Sequence, residues 1–269
     1  MLLDGKKLLI TGVLTDDSMA FSVARVAQEA GAEILLTNVG KGVRLTERVA
    51  RKLPSPPDVM QMDANSDEDI AAVSAEVMRR WGRLDGALHS IGFMPQDALG
   101  GNFLDAPWES VAIGFQTSAY SLKALTVGLL EPLKVAAADG GASVVTLTFD
   151  GRFAWPIYDW MGVAKAGLEG VTRYLARDLG QHGIRVNAIS AGPIRTMAGK
   201  NIPGFDQIAG AWTSRAPLGW SLTDATPVGQ MACFLLSDWA RLTTGEMIHV
   251  DGGFHAMGTD IRGERLEGD

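Results

Sequence analysis

Short apolar runs recur along the chain, and most are followed by a longer segment whose apolar positions repeat every three or four residues. The runs at 7–12, 33–38, 59–62, 84–93, 142–149, 183–190 and 247–250 have the length and the Val, Leu and Ile content of buried strands. The periodic segments at 19–30, 44–52, 70–81, 108–138, 157–180 and 226–236 read as helices, the longest of them loosened near its end by Pro132. Gly31 follows the first helix as a C-cap would. Strands that alternate with helices over the whole length predict an α/β chain, one doubly wound parallel sheet with helices on both faces. The segment 197–220 breaks the pattern, mixing Gly, Pro and apolar residues without a clean period. It reads either as a cover over a binding site or as an ordinary surface excursion with one short helix. The stretch 258–269 is polar and charged, as a fraying tail would be.

Composition narrows this picture. With 269 residues and 46% hydrophobic content, the chain can bury one large core, and nothing in it reads as a linker, so a single domain is expected. A net charge of −7 opposes nucleic-acid or anionic-membrane partners, because no basic stripe offsets the repulsion from phosphates. The only cysteine, Cys233, lies in an apolar run and reads as core. The four histidines show no metal spacing, and His89 reads as a packed strand residue. The first strand begins too early for a charged-then-apolar leader, and no apolar run could span a bilayer. A cytoplasmic protein is expected.

Candidate chemistry collects at the ends of the expected strands, where ligands of such sheets bind. Gly12 lets the chain turn tightly after the first strand. Ser18 can cap the following helix, whose amide N–H groups and dipole attract phosphate. The glycine pattern is incomplete, since Gly12 is followed by Ser18 and Ala20 where a G-x-G-x-x-G fingerprint has glycines, and an ordinary βα turn fits this stretch as well. The second strand ends in Thr37-Asn38 rather than the acid that takes a ribose 2′-hydroxyl in NAD-binding units, so cofactor choice stays open there. Asp63, after the third strand, could edge an adenine or cap the next helix. Ser90, Ile91 and Gly92 are placed to line a cofactor. Tyr158 and Lys165 sit seven positions apart at the start of a helical run, about two turns, so both side chains can share a face. A phenol there can hydrogen-bond an oxygen gaining negative charge, and an ammonium can hold a cofactor's hydroxyls. Phe149 either walls the substrate or is a core aromatic, and the loop 191–196 offers amides and the Thr196 hydroxyl to a carboxamide and a phosphate.

Taken together, Gly12 with Ser18-Met19-Ala20, His89-Ser90-Ile91-Gly92-Phe93, Tyr158 with Lys165, Ala191-Gly192-Pro193-Ile194-Arg195-Thr196 and Val250-Asp251-Gly252-Gly253 resemble bacterial enoyl-acyl-carrier-protein reductases. These are a divergent branch of the short-chain dehydrogenase/reductases, Rossmann-type enzymes that mostly separate the tyrosine from the lysine by three residues, a position occupied here by Met161. Phe149-Asp150, Tyr158-Asp159-Trp160-Met161 and Gly92-Phe93-Met94-Pro95-Gln96 look closest to the InhA type, which supports mycolic-acid synthesis, although the stretch from Thr196 to Arg215 is shorter than in that long-chain enzyme. The resemblance implies NADH as cofactor and an enoyl thioester on acyl carrier protein or CoA as substrate, reduced at its trans-2 double bond in fatty-acid elongation. It implies Tyr158, Lys165 and Phe149 as catalytic residues. Gly12, Ser18, Met19, Asp63, Ala64, Ser90, Ile91, Gly92, Lys165, Ile194 and Thr196 would bind the cofactor. It also implies a homotetramer. A ketoreductase of the same superfamily and a non-catalytic NAD(P)-binding sensor are the alternatives.

Overall fold

The computed structural model describes residues 1–200 and 204–258; the expected tail beyond Gly258, and Ile202 of the expected cover, lie outside them. Seven parallel strands form one sheet in the order β3-β2-β1-β4-β5-β6-β7, from β1 (Lys7–Thr11), β2 (Glu33–Asn38), β3 (Val59–Gln61), β4 (Gly86–His89), β5 (Ala142–Thr148), β6 (Ile184–Ala191) and β7 (Met247–Val250). The chain leaves β1 in one direction for β2 and β3, then returns past β1 to start β4 on its other side. That reversal opens a crevice beyond the carboxyl ends of β1 and β4.

Strand alternation decides what each face packs against. Leu8 and Ile10 of β1, Ile34 and Leu36 of β2, and Val145 and Leu147 of β5 face one apolar layer with α1 (Met19–Glu29), α2 (Gly42–Ala50) and α10 (Thr226–Leu236). Leu9, Leu35 and Val144 point the other way, into a layer built with α3 (Asp67–Trp81) and, further along, α5 (Ser121–Gly128), α6 (Leu130–Ala137) and α7 (Asp159–Leu179). Both faces are covered, which is why the strands read as continuous apolar runs rather than alternating ones. Cys233 is buried in the first layer, as expected.

Three expected helices differ from those observed. The segment 108–138 is broken: α4 (Trp108–Phe115) runs into one turn of π-helix at Gln116–Tyr120, then α5, and α6 starts after Leu129 leaves helical geometry. Pro132 falls in the first turn of α6, where its missing N–H costs no helical bond, so it opens the last piece rather than fraying the end. The helix expected from 70 begins at Asp67, capped by Ser66, whose Oγ accepts from the Asp69 amide at 3.2 Å. The helix expected over 157–180 begins only at Asp159. The cover segment holds two short helices, α8 (Met197–Lys200) and α9 (Phe205–Arg215), rather than one. None of the described helices is long and apolar enough to cross a membrane.

Candidate active site

The crevice is drawn tight by Gly12 and Thr11. Gly12 has φ +80°, and a Cβ there would fall 1.9 Å from the Ser90 carbonyl oxygen, so only glycine lets the exits of β1 and β4 lie this close. Thr11 Oγ1 donates to the Leu88 carbonyl and accepts from the Ser90 amide, both at 2.9 Å. Ser18 caps α1, its Oγ accepting from the Phe21 amide at 3.2 Å, but it donates its proton to the Thr15 carbonyl at 2.7 Å. An anion at this helix start is therefore met by first-turn backbone N–H groups, those of Met19 and Ala20 included, rather than by the serine hydroxyl. Asp16 pairs with Lys52 and Asp17 accepts from Thr15, so both carboxylates are engaged with protein partners. Asn38 holds the same loop from β2, donating to the Val13 carbonyl at 3.1 Å and to Thr46 Oγ1 at 2.9 Å. Asp63 does not cap α3, Ser66 doing so; its Oδ1 accepts from the Asn65 amide, and it sits with buried Ala64 at the exit of β3.

Tyr158 stands at the N-cap of α7, one position before its first residue, and its carbonyl accepts from the Met161 amide at 3.0 Å. Ile157 and Asp159 on either side of it have φ +59° and +43°, conformations that cost an L-residue free energy and persist only when neighbours enforce them. Here the enforcement is visible. The Ile157 carbonyl accepts from the Gly100 amide at 3.0 Å, and Asp159 Oδ2 accepts from the amides of Gly101 at 2.6 Å and Asn102 at 3.2 Å. The turn thus aims Tyr158 inward, 6% exposed, with its ring edge-on to Phe149 at 5.3 Å. Burial raises the Tyr158 pKa above the ordinary phenol value, so the group stays a donor. Among the described residues its hydroxyl has no hydrogen-bond partner.

Lys165 reaches the sheet from the second turn of α7 and donates to the Leu147 carbonyl at 3.0 Å, leaving two N–H groups for other acceptors. Burial lowers its pKa from 10.5 to about 8, and Glu169 opposes that fall, so at neutral pH it is mainly an ammonium. Gly92 opens onto it: a Cβ there would lie 3.8 Å from Lys165 Nζ and 3.7 Å from Ser118 Oγ. Ser118, from the π-turn, accepts from the Phe93 amide at 2.9 Å and donates to the Phe93 carbonyl at 2.8 Å, fastening the loop that carries Ser90, Ile91 and Gly92. His89 is fully buried between Thr146 Oγ1 at 2.9 Å and Ser121 Oγ at 2.8 Å. Burial, and then the charge of Lys165, lower its pKa to about 3, so it is neutral and structural, as expected.

Phe149 does not choose between wall and core. It closes the site towards Tyr158 and also packs on Trp155 at 4.6 Å and Trp212 at 5.6 Å, in an aromatic cluster that ends with Trp212 stacked on Phe254 at 3.7 Å. Ile208 and Trp212 of the expected cover are 7% and 2% exposed because α9 lays them on this cluster. Beyond Phe149 lies a cavity of about 510 Å³ lined also by Ser190, His249 and Asp251. Ile194 is buried in the loop after β6, and Thr196 Oγ1 accepts from the Gly199 amide at 2.9 Å.

The crevice suits a dinucleotide. Its floor is glycine backbone at Gly12 and Gly92, its phosphate end is a helix start, and the exit of β5 carries a buried ammonium on the Leu147 carbonyl and, at Phe149, a contact with the buried Tyr158 ring. Sequence reading missed Ser118, Glu169, Trp155, Trp212 and Phe254. Only Glu169 had a signal, an acid four residues after Lys165 and so on its helical face.

The chain matches the family model described as enoyl-(acyl carrier protein) reductase over residues 12–255. It is 42% identical over 266 residues to the enoyl-acyl-carrier-protein reductase (NADH) of Mycolicibacterium smegmatis, covering 94% of this chain and 97% of the relative. It is 39% identical over 267 residues to the enoyl-acyl-carrier-protein reductase (NADH) FabI of Aquifex aeolicus, covering 99% and 97%. The corresponding NADPH-named FabI of Staphylococcus aureus MRSA252 is 39% identical over 257 residues, covering 95% and 98%. With a seven-stranded parallel sheet and matches that span almost its whole length, this chain belongs to the enoyl-acyl-carrier-protein reductase family.

Proposed function

We propose that the chain is a single catalytic unit that reduces the trans-2 double bond of an enoyl thioester on acyl carrier protein, with NADH, during fatty-acid elongation. The observation that carries the residue assignment is that a buried phenol and a buried ammonium, on separately anchored supports, both contact the exit of β5, Tyr158 at Phe149 and Lys165 at the Leu147 carbonyl. Bound NADH supplies the hydride that adds to C3 of the enoyl group. Tyr158 donates a hydrogen bond to the thioester oxygen as negative charge grows there, and its raised pKa keeps the proton on the phenol while it does so. Lys165 directs its free N–H groups to the nicotinamide ribose, and its charge favours the enolate. Phe149 walls the reacting carbons, and C2 takes its proton from solvent water after the hydride has moved.

NADH is favoured over NADPH because β2 ends in Asn38, whose side chain is spent on the β1–α1 loop, and no paired arginines follow it. Lys41 and Arg44 are exposed there, and a higher kcat/KM with NADPH would reverse the preference. The 197–220 segment is read as a cover for the acyl chain. A homotetramer is supported by the apolar side chains that α4 and α7 leave exposed, Ile113, Phe115, Val163 and Tyr174 among them, and sedimentation would test it. A cytoplasmic location accords with the acidic chain.

The test is NADH consumption with enoyl thioesters of rising chain length, run beside two variants. Lys165→Ala weakens NADH binding and activity together. Tyr158→Phe leaves NADH affinity nearly unchanged and slows single-turnover hydride transfer, by about 100-fold where no ribose hydroxyl substitutes for the donor. Equal weakening of NADH binding in both variants would overturn the separate roles. Oxidation of NADH by β-keto but not enoyl thioesters would overturn the reaction.

A further inference from the structure

Lys165 is the only cation this mechanism uses, and one turn after it on α7 lies an acid the mechanism leaves idle. Glu169 is 5% exposed, and a carboxylate so buried is costly unless it is paired or well hydrogen-bonded. Its Oε1 accepts from Thr148 Oγ1 at 3.0 Å and from the Gly151 amide at 2.9 Å, both neutral donors. Two cations act on it through space, Arg152 and Lys165. Arg152 is spent on Asp150, its Nη2 2.6 Å from Oδ2. Lys165 is bonded only to a backbone carbonyl, that of Leu147, the residue before Thr148. Lys165 and Glu169 therefore reach consecutive positions of the β5 exit from successive turns of one helix.

The same exit is pressed onto α7. A Cβ on Gly151 would fall 2.5 Å from the Ala166 amide nitrogen, so the backbone after Phe149 and Asp150 lies directly against the residue that follows Lys165. Glu169 holds that contact closed through the Gly151 amide.

We propose that Glu169 is a positioning residue for the reduction, the counter-charge that keeps Lys165 an ammonium and at the same time the latch that holds the Phe149 strand end against α7. The proposal rests on Lys165 binding the cofactor. The other titratable groups facing Lys165 supply no negative charge, His89 on β4 being neutral and Tyr158 being held as a phenol by burial. Burial already draws the Lys165 ammonium towards the working range of pH, so losing the single nearby carboxylate lets it deprotonate there.

Glu169→Gln separates the two duties, because its amide oxygen can still accept from Gly151 and Thr148 while the charge is gone. In the wild type, NADH affinity falls as pH rises through about 8, where Lys165 loses its proton. In Glu169→Gln that break moves down by about one pH unit, which makes NADH binding about fivefold weaker at pH 8, with the thermal midpoint of the free enzyme unchanged. Glu169→Asp keeps the charge and restores the break, while its shorter reach loosens the latch and lowers kcat. A break at the wild-type pH in Glu169→Gln overturns the proposal, as does a displaced break in Glu169→Asp, which also serves as the test if the Gln variant does not fold. Lys165→Ala is measured alongside. Wild-type NADH affinity in that variant would refute the ribose role of Lys165, whereas lost affinity there with an unmoved break in Glu169→Gln refutes only the role of Glu169.

Discussion

The two sides of the site are built by different physics. On one side stand β4, β5, the π-turn and α7, where His89, Ser118, Lys165 and Glu169 are buried and each has a named hydrogen-bond partner. On the other side α9 lies over the aromatic cluster, held mainly by ring contacts, with Arg215 Nη2 donating to the Met257 carbonyl and Asp206 pairing with Arg195 at its rim, and among the described residues two of its buried donors, Trp212 Nε1 and Arg215 Nε, have no partner. A wall whose hydrogen bonds are made before ligand arrives is preorganised, since moving any member strands a buried polar group. Ring contacts are less directional, and unpaired donors add nothing that movement would lose. In the proposed reaction the wall holds the reacting atoms in place, and the cover repacks around acyl chains of differing size.

The largest expected effect probes the seal of the wall. An unfolded His89 takes up a proton below about pH 6.5, whereas the buried ring does so only near 3, so between these values the unfolded state binds more protons and stability falls with pH. Between pH 6.5 and 4.5 this amounts to about 2–3 kcal/mol, and Glu or Asp titration elsewhere adds a background common to variants. Urea unfolding of the His89→Gln enzyme should show that portion of the slope removed; the wild-type slope in the variant would mean that the wall is not sealed around His89.

A smaller contrast compares one hydroxyl with one indole N–H. Ser118→Ala leaves the Phe93 amide and carbonyl without their partner and should cost about 1–3 kcal/mol and raise the Kd for NADH. Trp212→Phe removes a donor that bonds nothing and keeps an aromatic ring on Phe254, so less than about 1 kcal/mol should be lost. Chemical denaturation of both variants checks the ranking. If Trp212→Phe is the more damaging, the two sides do not differ as described.

The last test needs no mutation and changes no bond in the wall. Amide hydrogen exchange in α9 should slow when NADH and an acyl ligand are added together, while exchange in β5 stays as it was. Equal protection gains in both would erase the distinction between wall and cover.

Much of the architecture was legible along the chain, because strand burial and helix packing write themselves into apolar periodicity and because Gly12 and Gly92 mark backbone that must come close. Lys165 was legible for the same reason, being tied to a helical register. Asp63 was not, since either role is compatible with an acid after a strand, and Ser66 three residues later took the cap.

The sequence by itself determined the order of strands and helices and the doubly wound class, both of which depend on residues near one another in the chain. Only the tertiary structure decided that Tyr158 stands at the N-cap of α7 rather than within it, since the left-handed backbone on either side of it is imposed by Gly100, Gly101 and Asn102 from a distant loop. It also decided that 108–138 breaks into pieces so that Ser118 and Ser121 can reach the end of β4, and that Trp212 and Ile208 are buried. Each of these turns on contacts between segments far apart in sequence, whose free energy exceeds the local preference that periodicity records.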